Sequence, residues 1–260
     1  NTSRILVLAF HPRDGVLEGW LASDTDEEDL IEGSVGQLVP GIPIRRRIID
    51  GQLTLDELFP APLDACECTM AELPPAWALE FPAPSALSAE AAERAGARDK
   101  DADTRLMRRF DCEYRLFRTV EEAHVMPTLA GGFARVDDFV TTALSVLNRR
   151  KSRAGKALEL QLETIFTEER VPFERQVETE PGSRVDFLFP SLERYQAAEP
   201  GDPDLRLLAV KTTLKDRWRQ VLQEGEKIAP KHLFTLDQGV TLATYNDMTN
   251  RGVELVVPRK

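Results

Sequence analysis

Two short, largely apolar runs, one carrying an aspartate and the other ending at a lysine, constrain this chain more than any other feature. The first is Val185-Asp186-Phe187-Leu188-Phe189, closed by Pro190; the second runs from Leu205 to Val210 and ends at Lys211. Runs of this length, rich in Val, Leu and Phe and bounded by turn residues, read as buried strands. Neighbouring strands of this kind present Asp186 and Lys211 at one edge of a sheet.

Such an edge suits phosphodiester hydrolysis. That reaction calls for a divalent ion held by carboxylates, which neutralises the phosphate and acidifies water, and for a cation beside the attacking water or the scissile phosphate. Asp186 supplies an acid and Lys211 the cation. In the common form of this site a second acid stands two residues before the lysine, but that position is Ala209 here. The second acid has to come from elsewhere. From about 215 to 227, Trp218, Val221, Leu222 and Ile228 recur at helical spacing, which predicts a helix. Glu224, on the same face as Val221, is expected to lean back and replace the acid missing from the strand. Taken singly, Asp186, Lys211 and Glu224 also read as ordinary surface charges; it is the set, in strand, strand, helix order, that points to chemistry.

Upstream, helical periodicity returns three times. Leu106, Phe110, Tyr114, Phe117 and Val120 predict a helix over 104 to 126; Phe133, Val136, Phe139, Val140, Leu144 and Leu147 predict one over 133 to 148; Leu158, Leu162, Ile165 and Phe166 predict one over 153 to 170. Most of these side chains read as core. Glu159 lies beside the last stripe, where a carboxylate serves as a metal or lysine partner or as a surface mate of Lys156. Residues 46 to 103, with Pro60, Pro62, Pro74, Pro75, Pro82 and Pro84 and an Ala/Glu-rich patch, read as linker, exposed loop or short helix. A domain boundary falls near residue 60. Before it come an apolar strand from Ile5 to Phe10, a turn at Pro12 to Gly15 and an acidic helix start at residues 23 to 28.

A formal net charge of -11 argues against non-specific nucleic-acid binding by the whole surface. The cations are concentrated, however, in Arg149, Arg150, Lys151, Arg153 and Lys156 and again in Lys211, Lys215, Arg217 and Arg219, so phosphate affinity is expected from a local cleft. Lys215, Asp216 and Arg217 also carry what a C·G pair asks for: cations for guanine O6 and N7 and an acceptor for cytosine N4. Cys66-Glu67-Cys68 is too tightly spaced for a zinc site and no second pair follows. The three cysteines are expected to be reduced, in a soluble cytoplasmic protein with no signal-peptide pattern and no eighteen-residue apolar run.

The segment Ala209-Val210-Lys211-Thr212-Thr213-Leu214-Lys215-Asp216-Arg217-Trp218-Arg219-Gln220 resembles the catalytic segment of the EcoRII-type restriction endonucleases, within the wider family that cleaves sites beginning CC and ending GG. Four more blocks are similar to that family in the same order: residues 152 to 159, 185 to 191, 232 to 236 and 252 to 258. The likeness spans roughly residues 104 to 258. It implies an α/β restriction-endonuclease-like (PD-(D/E)XK) core, a central mixed β-sheet flanked by helices. It places a metal-binding Asp on Asp186, the catalytic Lys on Lys211, a second metal-binding acid on Glu224, an upstream helix Glu on Glu159 and a functionally sensitive Tyr on Tyr195. It assigns DNA recognition to Lys215, Asp216 and Arg217, and a pocket for an extruded central base to Arg109 and Tyr114.

The function so implied is that of a type II restriction endonuclease: Mg2+-dependent hydrolysis of double-stranded DNA at a short palindromic CC...GG site, leaving 5′-phosphate ends. A homodimer places one centre on each strand, and the cognate methyltransferase belongs to the same restriction-modification system without being a physical partner. A nicking or repair nuclease, or a catalytically idle DNA-binding relative, are the alternatives. Residues 1 to 60 resemble the tail of the family's N-terminal effector domain, and 61 to 260 its catalytic domain. Starting at Asn1 and stopping soon after Pro258, the chain reads as trimmed at both ends.

Overall fold

Alternation along the run ending at Lys211 decides how the chain folds around it. In the computed structural model, Leu207 and Ala209 pack into one core and Leu208 and Val210 into another, on opposite faces of a sheet. The structure describes residues 5–11, 16–22, 27–28, 31, 65–96, 100–214 and 217–259. The predicted boundary near residue 60, the turn at 12 to 15, the acidic helix start at 23 to 26, and Lys215 and Asp216 lie outside them.

Strands β1 (Leu6–His11) and β2 (Val16–Leu21) pair as an antiparallel hairpin. The main sheet has five strands: β3 (Glu174–Glu180), β4 (Ser183–Phe189), β5 (Arg206–Val210), β6 (Lys231–Phe234) and β7 (Val253–Val256), in spatial order of sequence. The β3/β4 and β4/β5 pairs are antiparallel, whereas β5/β6 and β6/β7 are parallel. The sheet is therefore mixed, as expected. One face packs on Leu106, Leu158, Leu162 and Ile165; the other on Tyr195, Leu214, Trp218, Val221, Ile228 and Met248.

Helices α1 (Pro84–Arg94), α2 (Ala102–Gly131) and α3 (Val136–Glu168) precede the sheet. Shorter helices α4 (Leu192–Ala197), α5 (Trp218–Val221) and α6 (Leu242–Asn250) connect its strands. Helix α2 begins at Asp101, whose carboxylate accepts from Thr104 N at 3.0 Å, and Gly132 with φ 70 ends it.

Four expectations change here. The helices predicted over 133 to 148 and 153 to 170 are one helix of 33 residues. The basic run between them consists of good helix formers, and the lone Gly155 does not interrupt it. Val136, Phe139, Val140 and Leu144, the apolar face of the amphipathic helix predicted there, are exposed rather than buried. The Ala/Glu patch is not merely exposed loop: α1 buries Leu87 and Ala91 with Trp77, Cys112, Leu116 and Phe117, and Gln161 donates to the backbone and hydroxyl oxygens of Ser88. Finally, Cys66 and Cys112 are joined in a disulfide, leaving Cys68 as the free thiol. A sequence separation of 46 residues hides that pairing, which arises because α2 turns Cys112 inward onto the segment carrying Cys66.

Candidate nuclease centre

The β4/β5 ladder runs from Phe189↔Arg206 to Phe187↔Leu208 and stops there. Beyond that point the strands part, and the freed Val210 N–H donates to Asp186 Oδ2 at 2.7 Å. Lys211 Nζ donates to the same oxygen at 3.1 Å, while the Lys211 backbone N–H is held by Phe234 O on β6 at 3.0 Å. The strand ends thus create the meeting of Asp186 and Lys211 that the sequence predicts.

Glu224 joins them, though not from a helix. Helix α5 ends at Val221, and the chain then winds on tight i to i−3 bonds, the last from Glu224 N to Val221 O at 3.1 Å. Gly225 breaks this winding with φ 56, against Leu207 and Ile228, so the predicted helix to 227 cannot continue. Glu224 Oε2 is buried without a hydrogen-bond partner. Burial pushes the Glu224 carboxyl above the usual carboxylate range; the Lys211 charge pulls it down and the Asp186 charge pushes it further up. All three groups therefore share one electrostatic environment. Lys231 Nζ grips the turn from behind by donating to the carbonyls of Glu224 and Gly225.

Glu159, on α3, accepts from Lys156 Nζ at 3.3 Å and from Gln176 Nε2 at 3.2 Å, and Gln176 Nε2 also donates to Asp186 Oδ1 at 3.0 Å. Glu159 thus pairs with Lys156, and its link to Asp186 runs through Gln176. Tyr195 is buried on the far side of the Glu224 turn. Its hydroxyl donates to Glu180 and accepts from Lys227 N at 3.3 Å, and burial with the Glu180 contact pushes it up to about 12. Its hydroxyl thus ties β3 to the segment that follows Glu224.

Arg109 and Tyr114 face the helix pair. Arg109 is 1% exposed, with both terminal nitrogens on Glu168 at 2.9 and 3.0 Å. The Tyr114 ring lies under the Arg153 guanidinium, 4.8 Å from its centroid. Arg109 is thus enclosed between the helices, whereas Tyr114 is only half-buried. The first basic cluster is likewise largely engaged: Arg153 pairs with buried Glu113, Arg150 with Glu121 at 2.6 Å, and Arg149 lies over Phe81. Arg150 and Arg153 tie α2 to α3 rather than lining a cleft. In the second cluster Arg217 is exposed at the start of α5, and the preceding loop is anchored by Asp237, which accepts from Leu214 N at 2.9 Å.

Two carboxylates with hard oxygen donors, one oxygen buried and unsatisfied, fit a magnesium-like ion. Mg2+ typically takes one or two carboxylates and completes its shell with water and substrate phosphate. Among the described residues no group of three or more His, Cys, Asp and Glu is arranged to hold a metal. Sequence reasoning missed Gln176, Glu180, Lys231 and Asp237. Only the last had a local signal, the turn sequence Asp237-Gln238-Gly239, in which Asp237 Oδ1 accepts from Gly239 N.

The fold defined by this sheet and its charged edge is that of the restriction endonucleases. Solved structures of the same fold include metal-depleted Ecl18kI in complex with uncleaved DNA (TM-score 0.57, 25% identity, 69% of this chain and 70% of that one). Another is a PspGI–substrate DNA complex (TM-score 0.59, 18% identity, 70% and 78%). Residues 117–260 match the EcoRII C terminal family model, and the chain belongs to that family. It is also 46% identical, over 242 residues and 92% of its length, to the type II restriction enzyme EcoRII of Escherichia coli, of which it spans 58%. Among the described residues no helix is long and apolar enough to cross a membrane.

Proposed function

We propose that this chain is the catalytic part of a cytoplasmic type II restriction endonuclease that hydrolyses double-stranded DNA with Mg2+ at a short palindromic CC...GG site. The observation that carries the reading is the contact of Lys211 with Asp186 at the splayed end of β4 and β5, with the buried, unsatisfied Glu224 carboxylate within electrostatic reach of both. Residues 61 to 260 form the nuclease domain, and 1 to 60 derive from an effector domain.

Asp186 and Glu224 would hold the ion, which when bound would neutralise the scissile phosphate and acidify water. Lys211, fixed by Asp186, orients the attacking water and stabilises charge that develops on the phosphate. The water oxygen bonds to phosphorus in line as the bond to the 3′ oxygen breaks; the 3′ oxygen takes up a proton and the phosphate stays on the 5′ end. Glu159 supports Asp186 through Gln176, and Tyr195 acts as a positioning residue behind the Glu224 turn. Lys215, Asp216 and Arg217 read the C·G pairs.

Cutting both strands of a palindrome calls for two centres. Support for a homodimer comes from the exposed apolar stripe on the α2/α3 hairpin, where Met126, Leu129, Val136, Phe139, Val140 and Leu144 are each more than 40% exposed. Two copies burying this stripe remove it from water.

Digestion of a plasmid of known sequence with the purified chain in Mg2+, followed by sequencing of the ends, tests the proposal. Paired 5′-phosphate ends at CC...GG sites support it. Single nicks favour a nicking or repair enzyme; binding without Mg2+-dependent cutting leaves an idle relative.

A further inference from the structure

Gln176 stands out on β3 for its backbone and its partners together. Its φ is 55, in a strand whose other residues are extended. That left-handed conformation is one glycine and asparagine tolerate and glutamine rarely adopts, and such outliers gather where a side chain is being aimed. The register on either side is regular, with Arg175 opposite Phe187 and Val177 opposite Val185. The twist is thus confined to the residue facing Asp186.

The twist delivers one amide nitrogen to two carboxylates, Asp186 Oδ1 at 3.0 Å and Glu159 Oε2 at 3.2 Å. Asp186 Oδ2 is already taken by Val210 N–H and Lys211 Nζ, so the Gln176 contact fixes the plane of the carboxylate. It does so without a charge. A Lys or Arg here would neutralise the acids that are to attract a cation, and a Glu would add a third acid with no proton to donate. Lys156, Glu159, Gln176, Asp186 and Lys211 form a continuous chain of contacts, and Gln176 is its one neutral member.

The geometry assigns Gln176 as a positioning residue that sets the Asp186 carboxylate for the ion and is the route by which Glu159 acts on the centre. The assignment deepens the nuclease reading and rests on it for the identity of the centre. Glu159 itself touches no ion; its effect is carried by the shared amide.

Gln176→Gly is the cleanest variant, because it removes the amide while keeping a residue at ease with φ 55. Two measurements on the full chain test the assignment: Mn2+ binding followed by electron paramagnetic resonance, which needs no turnover, and the Mg2+ dependence of cleavage. Gln176→Gly is expected to weaken Mn2+ binding about tenfold and to raise the half-saturating Mg2+ similarly, with a smaller loss of rate at saturating Mg2+ and no drop in thermal stability. Glu159→Gln is expected to do the same more weakly, and the double variant to be no worse than Gln176→Gly alone. Unchanged Mn2+ affinity in Gln176→Gly, or strictly additive effects in the double variant, overturns the assignment. A wild-type chain that fails to bind Mn2+ overturns it as well, whereas one that binds Mn2+ but does not cut DNA sinks the nuclease reading and leaves the clamp standing.

Discussion

Lys211 Nζ stands 3.1 Å from Asp186 Oδ2 across the point where β4 and β5 part, so a cation and a carboxylate meet at the one place on these strands where the ladder is open. Both side chains are mostly shielded, at 19% and 14% exposed. With Glu224 nearby, the acids outnumber the lysine. The residual negative charge, partly desolvated, attracts a small divalent cation better than an open surface pair does.

The turn that carries Glu224 depends on Gly225. A Cβ there meets Leu207 Cδ2 at 2.7 Å, and φ 56 strains any residue with a Cβ. Gly225→Ala is expected to destabilise the fold by about 1 to 2 kcal/mol from backbone strain alone. By shifting Glu224 it also lowers cleavage more than DNA affinity. Urea unfolding and a gel-shift assay in Ca2+, run beside cleavage in Mg2+, separate the two effects.

Arg153 and Glu113 form a buried pair between α2 and α3, with side chains 9% and 1% exposed. Arg153→Met leaves a carboxylate stranded and is expected to cost roughly 3 to 5 kcal/mol, whereas adding Glu113→Leu recovers most of that loss. Urea unfolding of the single and double variants checks it. No recovery in the double variant shows that Arg153 matters chiefly through its stacking on Phe110, Tyr114 and Phe117.

Tyr195 holds its proton up to about 12, from burial first and then the Glu180 carboxylate. The unfolded value lies near 10. The folded pKa is the higher one, so the stability this group contributes is complete below pH 10 and is lost as pH rises through about 12. An ultraviolet titration is expected to show a tyrosinate component near pH 12 that Tyr195→Phe removes.

The apolar stripe of the α2/α3 hairpin predicts the oligomeric state. Val136→Glu with Leu144→Glu changes two exposed positions, 77% and 53%, and leaves the sheet core untouched. Light scattering is expected to show a dimer becoming a monomer while circular dichroism is unchanged. Double-strand cleavage then falls to nicking.

What the sequence disclosed and what it hid differ in range. Asp186 and Lys211 were legible because one lies within and the other just after a largely apolar strand, and strands that pair must align their ends. Glu224 was legible as an acid of the right chain distance, but its support was not. Trp218, Val221, Leu222 and Ile228 are buried or half-buried at near-helical spacing, although only Trp218–Val221 is helix, so burial imitated a longer helical stripe. Gln176 was invisible: its role comes from one left-handed residue opposite a strand ten positions away. The cations of residues 149 to 153 looked available for phosphate because the acids that engage Arg150 and Arg153, Glu121 and Glu113, lie about thirty to forty residues upstream on another helix.

Single-turnover cleavage of a duplex with one CC...GG site, by the wild type, Lys211→Ala and Glu224→Gln at saturating Mg2+ and equal DNA occupancy, tests the centre most directly. Each substitution is expected to slow cleavage by at least about 10²- to 10³-fold, the usual scale for removing a group that stabilises developing charge. Cleavage by either variant at the wild-type rate contradicts the assignment of these residues to the chemistry.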